Sequence, residues 1–317
     1  MRILIAGGFG FVGGRIAEYL ANAGYQIILA SRNHLSSPVW LPQAQVVKIT
    51  WDDADQIERI CNGIDLVIDA AGMNAQDCTT DPVAALSMNG LATARLVAAA
   101  IRAKVKKFIY ISTAHVYANP LVGIITEEIC PHNLHPYATS HLAGEYAVLG
   151  ANQQGDIHGT VLRLSNAFGA PTCKEVNCWM LLVNDLCRQS VEKRKLTLNS
   201  SGKQYRNFIG LTDVCRIVTH FVGENMPVQS SIFNVGHGYS KTVLDMAKLI
   251  QLRCSEVLGF EPELSYAHDT TVGDCSPLIY SVDRLISHGV DIKNQDETDE
   301  IDRLLQFCQA AFNPGRT

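Results

Sequence analysis

Apolar positions fall along this chain in two alternating rhythms. Short, nearly unbroken apolar runs alternate with longer stretches in which apolar residues recur three or four apart. The first kind reads as strands covered on both faces, the second as helices packed on one face. The predicted strands are Arg2–Ala6, Gln26–Ala30, Val46–Ile49, Leu66–Ala70, Lys107–Ser112 and Val161–Leu164. The predicted helices are Gly14–Ala23 with Val12, Ile16 and Leu20 four apart on one face, a segment beginning near Asp53, the long stretch Pro82–Ala103, and Tyr137–Asn152. Strand and helix in alternation predict an α/β chain with a doubly wound parallel sheet and right-handed crossovers.

The rhythm breaks at Asn119–Pro136, where three prolines and a glycine predict a loop at the C-terminal end of the fifth strand. Loops at those ends cover ligands in open α/β sheets. Beyond Pro171 the alternation weakens. Trp179–Arg188, a stretch from about Thr212, Val243–Leu252 and Asp299–Ala311 read as helices, and Lys195–Leu198 and Phe233–Gly236 as strands. This divides the chain into a main domain, 1–170, with part of 206–235 interleaved, and a smaller substrate-binding lobe, 171–317.

Composition narrows the class. Hydrophobic residues make up 47% of the 317 positions and charged residues 18%, so a large core is available and disorder is not expected. A formal net charge of −5 gives no support for a nucleic-acid partner. The ten cysteines form no C-x-x-C pair and no zinc-type cluster, and most sit in apolar segments, which reads as buried reduced thiols and no metal site. The opening residues read as a core strand rather than a signal peptide, and no uninterrupted apolar run reaches spanning length. The expectation is a cytoplasmic protein without a membrane partner.

Candidate chemistry starts at the first turn. Gly7, Gly10 and Gly13, with Phe11 among them, lie between the first strand and the first helix. Bare backbone N–H groups at a helix N-terminus suit a pyrophosphate, and glycine allows its close approach, so this turn predicts a dinucleotide site. The end of the second strand selects the cofactor. An acidic residue there would bond the ribose hydroxyls of NAD, but the chain has Ser31-Arg32-Asn33. A hydroxyl and a guanidinium suit a 2′-phosphate, which favours NADP over NAD; the bland alternative is a solvated loop charge at Arg32. Asp52 either faces the adenine amino group or caps the next helix. Ala70, Ala71 and Gly72 are small enough for a cofactor to lie across the strand ends.

Further along come Ser112-Thr113-Ala114-His115-Val116-Tyr117 and Tyr137-Ala138-Thr139-Ser140-His141. Arg163–Pro171 has the form R-x-x-N-x-x-G-x-P, Arg206–Asp213 reads RNFIGLTD, and Asn234-Val235-Gly236 forms a late N-x-G turn. Together with the glycine turn these resemble the extended short-chain dehydrogenase/reductase family of the NAD-dependent epimerase/dehydratase type, whose members mostly act on nucleotide sugars. The resemblance covers nearly the whole chain. It implies that Tyr137 exchanges a proton with a sugar oxygen while hydride passes to or from a nicotinamide, and that Thr113 hydrogen-bonds the same oxygen. It also implies a lysine four residues after the tyrosine, which stabilises the phenolate and holds the nicotinamide ribose. Here that position is His141, one helical turn from Tyr137. An imidazole near its ordinary pKa is mostly uncharged at neutrality. Either His141 substitutes more weakly, or another cation takes over, or turnover is lost and the protein only binds ligand.

The resemblance further implies substrate contacts from Asn166 and Arg206, and a cofactor-side role for Asn89 in supporting the fifth-strand backbone and a water. His115 either touches substrate or is structural. Dehydratases of this kind carry an acidic pair after the threonine, where this chain has Ala114-His115, so dehydration is disfavoured. The expectation is an NADPH-dependent reductase of a keto-sugar nucleotide, with an epimerase retaining its cofactor and a catalytically silent NADP-binding protein as alternatives. The helices around Ala84–Ala103 and Tyr137–Asn152 commonly pair across a dimer in such proteins, which implies a homodimer.

Overall fold

The computed structural model describes residues 1–33, 36–223, 231–267, 276–292 and 296–313. Two compact units make up the chain. The first comprises Met1–Asn119, Glu127–Leu164 and Cys215–Val235, the second Pro120–Thr126, Ser165–Val214 and Gly236–Thr317. The chain therefore leaves the first unit at Leu164 rather than Ala170 and re-enters it at Cys215. The helix Leu211–Gly223 carries it across that second boundary.

The first unit is built on seven parallel strands: β1 (Arg2–Ala6), β2 (Gln26–Ser31), β3 (Gln45–Lys48), β4 (Leu66–Asp69), β5 (Lys107–Thr113), β6 (His158–Leu164) and β7 (Ile232–Val235). Their spatial order is β7-β6-β5-β4-β1-β2-β3. The order reverses where β1 lies between β2 and β4, and the crevice at that point is where open α/β sheets bind ligands. The helices α1 (Phe11–Asn22), α2 (Ala54–Cys61), α3 (Ala92–Arg102) and α4 (Pro136–Gln154) connect the strands. One core cluster joins Leu4, Ile28, Val67 and Phe108 of the strands to Ile57, Leu96, Ala100 and Val148 of the helices. Both faces of β1 are covered, which is why it reads as a plain apolar run.

Two expectations change. Pro82–Ala103 is not one α-helix: a turn at Pro82–Ala85 passes into a π-helical turn, Leu86–Leu91, before α3 begins. Pro82–Arg102 is long and apolar enough on average to cross a membrane, but polar residues such as Asn89 and Arg95 interrupt it and half of it is buried in the unit. The predicted loop Asn119–Pro136 contains a short strand, Gly123–Ile125, paired in parallel with Leu278–Tyr280.

In the second unit α5 (Leu182–Lys193), α6 (Val243–Leu258) and α7 (Asp296–Phe312) enclose a core of Val183, Leu186, Met246, Ile250, Leu304 and Leu305. The helix expected at Trp179–Arg188 begins three residues later, at Leu182. Two-stranded pairs flank this core, such as Lys195–Leu198 with Glu263–Tyr266. Fully buried Glu300 accepts from the Ala170 N–H at 3.2 Å and the Thr212 N–H at 3.1 Å, so α7 fixes two connecting segments. Seven of the nine described cysteines are buried, Cys173 is half-buried and Cys130 exposed; Cys275 lies outside the described residues.

Candidate active site

The first component of the site is a turn made by steric necessity. Gly7 has φ +75°, and a Cβ there would lie 2.5 Å from the Ala70 carbonyl oxygen. A Cβ on Gly13 would lie 2.4 Å from the Gly7 carbonyl oxygen. These two glycines let the turn between β1 and α1 press against the end of β4. Gly10 donates its N–H to the Gly7 carbonyl at 2.8 Å and precedes α1 without offering a side-chain cap. The first-turn N–H groups of α1 are thus arranged as an anion site requires.

Gly7, Gly10, Ser31, Arg32 and the run Ala70–Gly72, all cofactor candidates in the sequence, line one groove over these strand ends. Phe9, Trp51 and Met73 line it too, and were not read from sequence. Gly13 packs behind the turn and Phe11 is the first residue of α1. Among the described residues lining the groove none is acidic. Ser31 is buried and its hydroxyl accepts from the Asn33 N–H at 3.2 Å, while Arg32 is exposed. Asp52 is not in the lining: its exposed carboxylate pairs with Arg95, and Asp53 caps α2 by accepting from the Gln56 N–H at 2.9 Å. The bare turn, small floor and acid-free end fit a dinucleotide.

The second component is where α4 packs against β5 and the π-turn, beside the loop that follows β4. Pro136 stands in the first turn of α4, and the His135 Nδ1 caps it by accepting from the Tyr137 N–H at 3.1 Å. That start fixes Tyr137, and His141 one turn later. Gly144, a further turn along, has no room for a side chain, since a Cβ would meet the Asn89 carbonyl oxygen at 2.6 Å and the Tyr110 hydroxyl at 2.7 Å. The resulting close approach of α4 to the π-turn and to β5 assembles the polar cluster.

In that cluster Thr113 is in hydrogen-bonding reach of the Tyr137 phenol. The Tyr137 and His141 rings meet edge to face with centroids 4.7 Å apart. His141 is buried, and its Nδ1 lies 2.8 Å from the Tyr110 hydroxyl. Tyr110 also donates to the Asn89 carbonyl at 3.1 Å. The fully buried Asn89 amide does not brace the β5 backbone as expected. Its Oδ1 accepts from the Met73 N–H at 2.8 Å and its Nδ2 donates to Ser140 Oγ at 3.0 Å, tying the loop after β4 to α4. A π-turn at this position is a common mark of a functional site.

Burial governs the electrostatics. It pushes His141 down to about 4, so the imidazole is neutral at physiological pH. It raises the Tyr137 phenol, a shift only partly opposed by the Thr113 hydrogen bond. Burial also lifts Asp69 to about 6, against hydrogen bonds from Thr93 and the Ala71 N–H. Beneath the cluster Glu145 of α4 accepts from Arg163 Nη2 at 2.6 Å and from Ser112 Oγ. The Arg163 guanidinium lies 4.6 Å from the Tyr117 ring centroid, and Tyr117 donates to Asn234 Oδ1 at 2.7 Å. Tyr110, Ser140 and Glu145 escaped the sequence reading. Their signal was only a polar tip inside apolar patterns.

The structure therefore brings Thr113, Tyr137, His141 and Asn89 together in the first unit. His115 sits on a short 3₁₀ turn after β5, its N–H donating to Thr113 Oγ1 at 3.2 Å. Asn166 and Arg206 belong to the second unit. Asn166 Nδ2 donates to the Asn207 carbonyl at 2.8 Å, and exposed Arg206 stands opposite Lys241 in a strand pair. Among the described residues no cluster suits a metal ion.

Comparison with known proteins adds four findings. The model of the NAD dependent epimerase/dehydratase family matches residues 3–236. The dTDP-D-glucose 4,6-dehydratase of Homo sapiens is 30% identical over 190 residues, 59% of this chain and 52% of that protein, so the chain spans about half the length of that relative. A putative UDP-glucose 4-epimerase of Methanocaldococcus jannaschii is 24% identical over 83% of this chain and 85% of its own. Among solved structures, the UDP-glucose 4-epimerase of Thermus thermophilus in complex with NAD superposes with a TM-score of 0.79 at 21% identity, covering 98% of this chain and all of the other. That likeness confirms the Rossmann-type fold. The cofactor in that complex is NAD, so it lends no support to a preference for NADP.

Proposed function

Because the chain belongs to the NAD dependent epimerase/dehydratase family, we propose that it is an oxidoreductase of nucleotide-linked sugars that reduces a keto-sugar nucleotide, with Tyr137 as proton donor and NADPH in the groove. The dinucleotide supplies the hydride. Gly7, Gly10 and the α1 N-terminus are suited to its pyrophosphate, and Ser31 and Arg32 to a 2′-phosphate. His141 and Asn89 stand at the other end of the groove beside Gly72, where the nicotinamide ribose belongs.

The observation that carries the direction of the reaction is the uncharged surrounding of Tyr137. A tyrosine one turn from a neutral, buried imidazole keeps its proton through the neutral range. It is poised to give that proton to a carbonyl oxygen as the oxygen becomes an alcohol, and Thr113 orients the same oxygen. Taking a proton from an alcohol, the opposite task, needs a phenolate, and among the described residues no cation stands beside Tyr137 to stabilise one. His115, Asn166 and Arg206 are the proposed substrate contacts, Arg206 through the fit of guanidinium to a diphosphate. Val83, Leu86 and Leu91, with Tyr146 of α4, leave apolar surface exposed, consistent with a homodimer.

A second reading is epimerisation, favoured by the archaeal relative's name and the NAD complex of the T. thermophilus structure. One assay separates the readings. The protein is incubated with NADPH, or NADH, and a 4-keto-6-deoxy sugar nucleotide. Stoichiometric loss of the reduced-nicotinamide absorbance, faster with NADPH, is the expected result. Sugar interconversion without net cofactor change makes it an epimerase, and tight binding with neither makes it catalytically silent. Tyr137→Phe should lower the rate roughly 10²–10⁴-fold while leaving dinucleotide affinity unchanged.

A further inference from the structure

Tyr110 is buried in β5 and touches the residue that departs from the family pattern. Its single proton has two places to go, and the surrounding hydrogen bonds choose between them. Thr93 Oγ1 lies 2.9 Å from Asp69 Oδ2 and 3.0 Å from the Asn89 carbonyl, and its one proton goes to the carboxylate, the stronger acceptor. The Asn89 carbonyl, 3.1 Å from the Tyr110 hydroxyl, then needs the Tyr110 proton. With that proton committed, the 2.8 Å contact between Tyr110 Oη and His141 Nδ1 is closed by a proton on Nδ1. The reverse polarity would leave the Tyr110 and Asn89 oxygens facing each other in a buried site with no proton between them, a costly arrangement.

We propose that Tyr110 is a positioning residue that holds His141 as its Nδ1–H tautomer, so that Nε2 presents a lone pair and accepts a hydrogen bond from a hydroxyl of the dinucleotide's ribose. The placement of that edge supports this: a Cβ built on groove-lining Gly72 lies 3.7 Å from His141 Cε1 and 3.8 Å from Nε2. An ammonium at this position only donates, so the imidazole reverses the direction of the hydrogen bond. The ligand half of this inference rests on the dinucleotide reading above.

The test is nitrogen NMR of the full chain labelled at histidine, with the His141 signals assigned by their loss in His141→Asn. In the protein without added dinucleotide, Nδ1 should be protonated and Nε2 bare. Tyr110→Phe should release the ring toward the Nε2–H form and weaken NADP(H) or NAD(H) binding roughly 3–10-fold, as expected for one lost orienting hydrogen bond. In a His141→Lys background the same Tyr110→Phe change should cost no further affinity. A wild-type ring protonated on Nε2 overturns the proposal even if Tyr110→Phe does not fold. A Tyr110→Phe spectrum identical to wild type overturns the positioning role. Should the ring show the expected tautomer while neither dinucleotide binds the wild type, the ribose contact and the dinucleotide reading both fall, whereas the tautomer assignment does not.

Discussion

Helix α4 carries two buried polar clusters on successive turns, and they solve the same problem in opposite ways. At Glu145 a carboxylate with no exposed surface meets the Arg163 guanidinium, backed by Ser112 and the Tyr117 ring. At His141, one turn earlier, the buried base is uncharged and bonded to a neutral phenol. The helix buries a charge where β6 supplies the counter-charge and keeps neutrality where the ring's described partner is a neutral phenol. The ionic cluster is scaffold, since every partner is a protein group. The neutral cluster faces the groove and can still respond to what enters it.

The largest effect should come from breaking the ionic side. Glu145→Ala removes the carboxylate that neutralises a buried guanidinium and should cost about 3–5 kcal/mol in urea unfolding. Glu145→Ala combined with Arg163→Met should recover most of that loss, because a buried pair exchanged for apolar groups is often near neutral. A single-variant cost below about 1 kcal/mol, typical of a surface pair, would remove the contrast between the clusters.

Next in size is a pair of opposed pH effects on the neutral side. The folded-state pKa of His141 is depressed to about 4, so as pH falls below about 6.5 the unfolded chain binds a proton that the folded chain refuses. Stability from this group is complete above that value and is lost progressively down to pH 4. Asp69 is raised to about 6, so its contribution is present below the ordinary carboxyl range and is lost as pH rises through 6. Each effect amounts to roughly 3 kcal/mol at full extent, and over the shared interval they oppose one another. Asp69→Asn should therefore unmask a stability that falls with acid between pH 6 and 4, and His141→Asn one that rises. Parallel slopes in the two variants would mean that these groups do not control acid stability.

The two clusters also differ in how far the sequence discloses them. The apolar run of β1, the glycine turn and the periodicity of α1 are local, so strand, turn and dinucleotide groove are legible from a few dozen residues. Thr113 and Tyr137 are legible because they stand in spaced motifs. Tyr110 is not, because a tyrosine inside an apolar strand looks like core until the partner of its hydroxyl is known. The π-turn at Leu86–Leu91 is equally hidden. Its sequence, LSMNGL, sits inside a longer helical pattern and carries no sign of the break, which coincides with close packing against Gly144, more than 50 residues away. Strands as short as Gly123–Ile125 or Glu263–Tyr266 carry too few positions for a period and exist through partners distant in sequence.

The sharpest change, though the smallest in energy, is to move the ionic solution up one turn. In His141→Lys an ammonium stands beside Tyr137 in place of a neutral ring. An opposite charge at that range favours the phenolate and should lower the tyrosine's pKa by about one to two units. The first turn of α4 also places Tyr137 at the positive end of a helix dipole, which acts in the same sense. In the wild type the phenol is raised, so reductive activity should persist into alkaline pH before the donor is lost. In His141→Lys that alkaline limb should move down by the same one to two units, with folding intact and turnover at pH 7 preserved or increased. A limb that stays in place means the residue at 141 does not couple to Tyr137. A large fall in turnover at unchanged dinucleotide affinity would instead show that the imidazole does more than stand in weakly for lysine, and that the neutrality of this cluster is itself required.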